Sequence, residues 1–136
     1  MKGRKRHIPV DTLGLTVAVV VTPANEGERK GLKVLLEDYF EKGVTRLRKI
    51  WVDAGYSGVA IREQVRKLKK THQIGLEVNE NEGKGFNVIK RRQVVERTSA
   101  WIFNFRRNSK DYETATLNSE VMIQISMINI LIRRLA

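Results

Sequence analysis

The chain contains no cysteine and only two histidines, His7 and His72, in 136 residues. Disulfide scaffolds, thiolate zinc sites and cysteine nucleophiles are therefore excluded, and a multi-histidine metal site has no ligands to draw on. Long apolar runs are also missing. The longest, Leu13 to Val21, is broken by Gly14 and Thr16 and stopped by Thr22-Pro23, far short of the ~20 residues that span a bilayer. Low-complexity tracts and heptad repeats are not evident. The basic start, Met1 to Arg6, is not followed by a signal-peptide pattern with a cleavage site. Acids are scarce, 15 against 26 Lys plus Arg. What remains is an apolar fraction of 41%, enough for a real core and too much for a disordered tail. One modest α/β domain over residues 1–136, in a soluble cytoplasmic protein with an acidic partner, is the first expectation.

The net charge of +11 is concentrated rather than spread. Residues 1–10 carry Lys2, Arg4, Lys5 and Arg6 with no acid. Residues 84–110 carry Lys84, Lys90, Arg91, Arg92, Arg97, Arg106, Arg107 and Lys110 against Glu96 alone. Those stretches contribute +4 and +7, while residues 11–83 and 111–136 nearly cancel at +1 and −1. Clustering of this kind is the electrostatic footprint of a polyphosphate partner, DNA or RNA. An anionic membrane would instead want a basic helix with a large apolar opposite face, and the first cluster is too short for one.

Residues 6–10 and 15–21 are apolar and β-branched around Asp11-Thr12-Leu13-Gly14, which predicts an antiparallel hairpin with Asp11 as a turn residue. Pro9 restricts the first of these strands to an edge or to weak pairing. Leu32, Leu35, Leu36, Tyr39 and Phe40 repeat at helical spacing and predict a helix over 28–42, capped by Gly43. Ile50-Trp51-Val52 predicts a strand buried on both faces, and Val59 to Lys70 a second helix. Ile74 to Val78 predicts a further strand, followed by a polar, mobile loop over 79–85. A third helix is predicted from Arg92, with Val94, Val95, Trp101, Ile102 and Phe105 facing inward. A final helix over 119–134 carries Met122, Ile125, Ile128 and Ile132 and is apolar nearly all round, so it should be buried or packed on a partner. Strands alternating with helices give an α/β domain with a mixed sheet.

Two acids stand out. Asp53 follows a buried strand and precedes Gly55 and Gly58, where α/β sheets hold functional groups in a rigid frame. Its alternative role is as a turn or capping residue, and Ser57 is better placed to cap the helix that follows. Glu96 is the only acid between Glu82 and Asp111. It sits four residues after Arg92, so an ordinary intrahelical salt bridge competes with a functional role. Carboxylate pairs suit Mg²⁺ or Mn²⁺, and paired ions activate water and stabilise a leaving 3′ oxygen in phosphodiester chemistry.

The stretches Lys2 to His7, Val10 to Leu15, Thr22 to Asn25, Trp51 to Gly58 and Arg92 to Trp101 occur in this order. With Arg106-Arg107 and Ser109 to Glu113, they resemble the C-terminal half of a DDE transposase of the insertion-sequence-four/five superfamily. The resemblance implies a ribonuclease H-like mixed sheet flanked by helices, and DNA cleavage and strand transfer with Mg²⁺ or Mn²⁺ on transposon ends and target DNA. It matches Asp53 to the second catalytic and metal-binding aspartate, Glu96 to the catalytic and metal-binding glutamate, and Arg92 to the arginine of a Tyr-x2-Arg-x3-Glu-x6-Lys signature. Ile89 and Phe103 stand in place of the tyrosine and lysine of that signature, and Arg106 or Arg107 is a candidate for the missing cation. Lys2, Arg4, Lys5, Arg6, Lys90, Arg91, Arg92, Arg97, Arg106 and Arg107 are the expected DNA contacts. Trp101 reads as core rather than as a base-stacking residue.

The resemblance places the first catalytic aspartate upstream of the Lys2–His7 segment, on a first strand that this chain lacks. The chain is then a partial catalytic domain, expected to be inactive alone, to self-associate and to depend on an upstream segment or a full-length transposase. The alternatives are a non-catalytic DNA-binding remnant or regulator, and a ribonuclease H-like nuclease outside transposition.

Overall fold

The computed structural model describes residues 3–42, 46–53, 56, 58–79 and 90–136. Their elements run β1 (Arg4–His7), β2 (Val20–Pro23), α1 (Glu28–Glu41), β3 (Lys49–Asp53), α2 (Val59–His72), β4 (Gly75–Asn79), α3 (Lys90–Phe103), a 3-10 turn (Arg106–Asn108) and α4 (Thr116–Leu135). The α/β class and element order are those the sequence predicts. The chain divides into two compact units, Met1–Asn25 with Phe86–Ala136, and Glu26–Gly85. Instead of one mixed sheet, the described strands form two two-stranded sheets, β1-β2 and β3-β4.

In the first unit β1 and β2 pair antiparallel, with Arg4 opposite Pro23 and His7 opposite Val20. The hairpin is therefore present, but its ladder is shifted outward and overlaps the predicted 6–10 and 15–21 only at 6–7 and 20–21. Only a single bridge, Val10 to Thr16, joins those inner stretches. The cause is the turn. Asp11 Oδ1 accepts the N–H groups of Leu13 and Leu15, both at 2.9 Å, and so winds the chain locally instead of extending it. Gly14 sits there at φ 84°, where an added Cβ would lie 2.8 Å from Thr98 Oγ1. That hydroxyl donates to the Gly14 carbonyl at 2.7 Å and ties the turn to α3. Pro9 lies beyond the β1 ladder, and its carbonyl accepts from Val17.

The core of this unit joins Val19 and Val21 of the hairpin to Ile102 of α3 and to Ile123 and Met127 of α4. Ile123 and Ile102 are 0% and 1% exposed. The Val21 N–H, unused in the ladder, donates to Glu120 of α4 at 2.8 Å, which closes the outer edge of β2 to other strands. Val95 is exposed and Phe105 lies past the end of α3, so the predicted inward stripe narrows to Val94, Trp101 and Ile102, with Ile102 alone fully buried.

In α4 only one side is covered. Ser119, Ile123, Ser126 and Met127 face the core. Leu117, Val121, Ile125, Ile128, Ile132 and Leu135 are exposed, so of the two expectations, burial or packing on a partner, burial holds for one side only and the other is a bare apolar stripe.

The second unit pairs β3 and β4 in parallel, Lys49 with Gly75 and Asp53 with Asn79. Helix α1 buries Leu32, Leu35, Leu36 and Tyr39 as the spacing predicts, and Phe40 meets the Tyr39 ring edge-on with centroids 5.6 Å apart. Lys42 caps α1; Gly43 lies outside the described residues. The β3 strand is half-buried rather than buried on both faces. Its Trp51 indole donates to Glu77 on β4 at 2.6 Å, and the same carboxylate oxygen takes Lys49 at 2.8 Å. The loop expected over 79–85 lies, apart from Asn79, outside the described residues.

Candidate carboxylate and nucleic-acid site

Asp53 is the last residue of β3, at the carboxyl end of a parallel pair, where the sequence places it. Glu96 lies midway along α3, and its side chain is 64% exposed. Arg92 Nε donates to Glu96 Oε1 at 3.1 Å, one helical turn away. The competing intrahelical salt bridge is thus formed, while the second carboxylate oxygen takes no described donor. Both acids offer the hard oxygen donors that Mg²⁺ or Mn²⁺ prefers. Asp53 belongs to the second unit and Glu96 to the first. Among the described residues no group of three or more His, Cys, Asp or Glu is placed to hold a metal ion.

The expected DNA contacts separate into held and outward-facing groups. Arg4 reaches from β1 to the segment ahead of α4. Its Nη1 donates to Ser119 Oγ at 2.8 Å and lies 3.3 Å from both Asp111 oxygens, and its Nη2 donates to the Thr114 carbonyl at 2.6 Å. Arg6 donates to the Asn108 carbonyl at 2.9 Å and lies over the Phe103 ring. Arg97 covers the Trp101 ring at 5.1 Å, and Arg134 covers the same ring at 4.5 Å. Trp101 is accordingly half-buried beneath two guanidiniums.

Arg92 and Arg106 stand exposed. Arg107 is also exposed and lies 3.2 Å from Glu113 Oε1, without the alignment of a hydrogen bond. Lys5 is half-buried in β1, and Lys90 and Arg91 open α3. Lys2 and Lys84 lie outside the described residues.

The sequence reading missed the reason this segment has a fixed shape. Partial burial pushes the Asp111 carboxyl up, but the Ser119 hydroxyl, the Glu113 N–H and the Arg4 and Arg6 guanidiniums outweigh it and hold it below the usual carboxylate range. Asn108, 1% exposed, donates to Ser126 Oγ on α4 at 2.6 Å. The usable signal was the position of Asp111 and Glu113 among basic residues close to a helix start, but no sequence spacing reveals that their partners lie across the fold.

Residues 1–131 match the family model described as a transposase DDE domain. No curated protein and no solved structure matches the chain.

Proposed function

The chain belongs to the transposase DDE-domain family, and from that premise we propose that it serves DNA transposition, with Asp53 and Glu96 as two of the carboxylates of a metal-dependent phosphodiester-cleaving site. The observation that carries this reading is the family match over residues 1–131 of 136. A divalent ion held by Asp53 and Glu96 would supply activation of water and stabilisation of the leaving 3′ oxygen. The chain's own work is to present Asp53 at the end of β3, to steady Glu96 through Arg92, and to hold DNA through phosphate contacts. Lys2, Lys5, Lys90, Arg91, Arg92, Arg97, Arg106 and Arg107 are the proposed contacts. Arg4 and Arg6 are assigned instead to the fold by the partners described above.

The proposed lineage is the insertion-sequence-four/five superfamily, with a ribonuclease H-like sheet. In that fold a first aspartate completes the set with Asp53 and Glu96. A non-catalytic DNA-binding remnant or regulator is the second reading. The proposed setting is cytoplasmic, and among the described residues no helix is long and apolar enough to cross a membrane.

Self-association is part of the same proposal, and the bare stripe of α4 supports it. Val121, Ile125, Ile128, Ile132 and Leu135 follow a four-three spacing, the seam geometry of paired helices. The stripe is neutral, so two copies of a basic chain can meet there without placing charge against charge.

The test of function is Mg²⁺-dependent nicking of a supercoiled plasmid. Nicking that is abolished by Asp53→Asn or Glu96→Gln is expected. Nicking unaffected by both substitutions would overturn the assignment.

A further inference from the structure

The segment from Arg106 to Glu113 carries three bases and two acids, so by sequence its charge is almost balanced. The structure removes both acids from that balance. Asp111 is neutralised by Arg4 and takes the Ser119 hydroxyl at 2.7 Å, and its side chain is only 19% exposed. Glu113, with a 16% exposed side chain, is matched by Arg107. Arg106 and Lys110 are left exposed with no acidic partner among the described residues. Between the two inward acids, Tyr112 faces the other way and is 58% exposed. Arg106, Arg107 and Tyr112 border an open surface depression of about 390 Å³.

The shape of this segment is imposed from beneath. The buried Asn108 is bonded to Ser126, Arg6 fixes its carbonyl, and Arg4 ties Asp111, Thr114 and Ser119 together. Tyr112 is therefore an aromatic ring held out in water by a rigid support. An exposed ring on a fixed support can serve as a stacking platform. An unpaired guanidinium at the same depression supplies what a phosphate requires, and an aromatic face is what an unstacked base requires.

We infer that the Arg106–Arg107–Tyr112 depression is a subsite for one nucleotide of single-stranded DNA, with Arg106 on the phosphate and the Tyr112 ring stacked on the base. The inference rests on the DNA-binding reading given above and deepens it. Arg107, 3.2 Å from Glu113 Oε1, is a second guanidinium at the same depression and a further phosphate contact. A duplex keeps its bases stacked on one another, so the subsite distinguishes single strands and opened ends from closed duplex.

The test uses the full chain, a short single-stranded oligonucleotide carrying 2-aminopurine, and a blunt duplex of the same sequence. The wild type is expected to quench the 2-aminopurine on binding. Tyr112→Ala loses that quench and binds the single strand about tenfold more weakly, with duplex affinity unchanged within about twofold. Tyr112→Phe keeps the ring and behaves as the wild type, and unchanged circular dichroism shows that the exposed substitution leaves the fold intact. Equal loss on both DNAs, or no loss on either, overturns the subsite while leaving general DNA binding in place. Failure of the wild type to bind either DNA overturns the DNA-binding reading itself, and the subsite with it.

Discussion

Replacing Arg4 with alanine separates two roles that sequence alone treats as one. A basic residue in an acid-free N-terminal stretch reads as a phosphate contact, but its guanidinium here bonds the 111–119 segment. Two of its bonds are short, 2.8 Å to Ser119 Oγ and 2.6 Å to the Thr114 carbonyl. The 3.3 Å approaches to Asp111 add attraction rather than good hydrogen bonds. Charged hydrogen bonds in partly covered positions contribute about 1.5–3 kcal/mol when one partner is removed. Both side chains are 19% exposed, so water screens the pair less than at an open surface. Asp111 keeps Ser119 and the Glu113 N–H as partners, which limits the penalty. The net expectation is a loss of about 2 kcal/mol, or about 1 M in the urea midpoint of the chain. Arg4→Lys keeps the charge but not the fork, and should lose more than half as much. In DNA binding neither variant should alter the dependence on salt, whereas deletion of a true phosphate contact lowers the slope by about 0.9. An Arg4→Ala chain within about 0.5 kcal/mol of wild type, with a shallower salt slope, would show that Arg4 faces DNA and that the bonds to Ser119 and Thr114 are dispensable.

Three further outcomes are expected. Asp111 titrates below its ordinary value in the fold, so its contribution is fully present above about pH 4 and is lost as pH falls through the depressed folded value; acid titration of Asp111→Asn should therefore lack part of the wild-type stability loss in that window. Asn108→Ala removes a buried 2.6 Å bond to Ser126 and should cost about 1–3 kcal/mol by urea denaturation, with Ser126 left donating only to the Met122 carbonyl. Ile125→Asp with Ile128→Asp should convert a self-associated chain to monomer in sedimentation equilibrium; a wild type that is monomeric across the concentration range would refute pairing through α4 and leave the stripe to a different segment or chain.

What was legible in the sequence was whatever depends on neighbours along the chain. The apolar spacing of Leu32, Leu35, Leu36 and Tyr39 identified α1 and its buried face. Asp53 at the end of β3 followed from a short apolar strand running into a glycine-containing stretch. Partners distant in sequence were not legible. The hairpin ladder slid outward because Asp11 binds two backbone N–H groups and keeps the inner residues in a turn. Val95 turned outward because the core met by α3 is narrow and is filled by Ile102. No pattern in the 1–10 segment announces that Arg4 pairs with a residue 107 positions away.

The final helix shows the limit most clearly. Its residues are apolar on nearly every side, so the four-three spacing of the outer stripe is hidden among the inner ones, and no heptad is evident in the sequence. Only when Ser119, Ile123, Ser126 and Met127 are assigned to the core does the remaining set become a separate seam. Ser119 and Ser126 sit on the buried side because each serves a specific partner, Arg4 with Asp111 for one and Asn108 for the other. The same two serines thus fix the rotation of α4, and that rotation leaves the larger aliphatic residues outside. Moving those residues inward would strand both hydroxyls and release the 106–115 segment with them. On this reasoning the exposed stripe and the nucleotide subsite share one cause, since the bonds that hold Tyr112 outward also decide which face of α4 is left for a second copy.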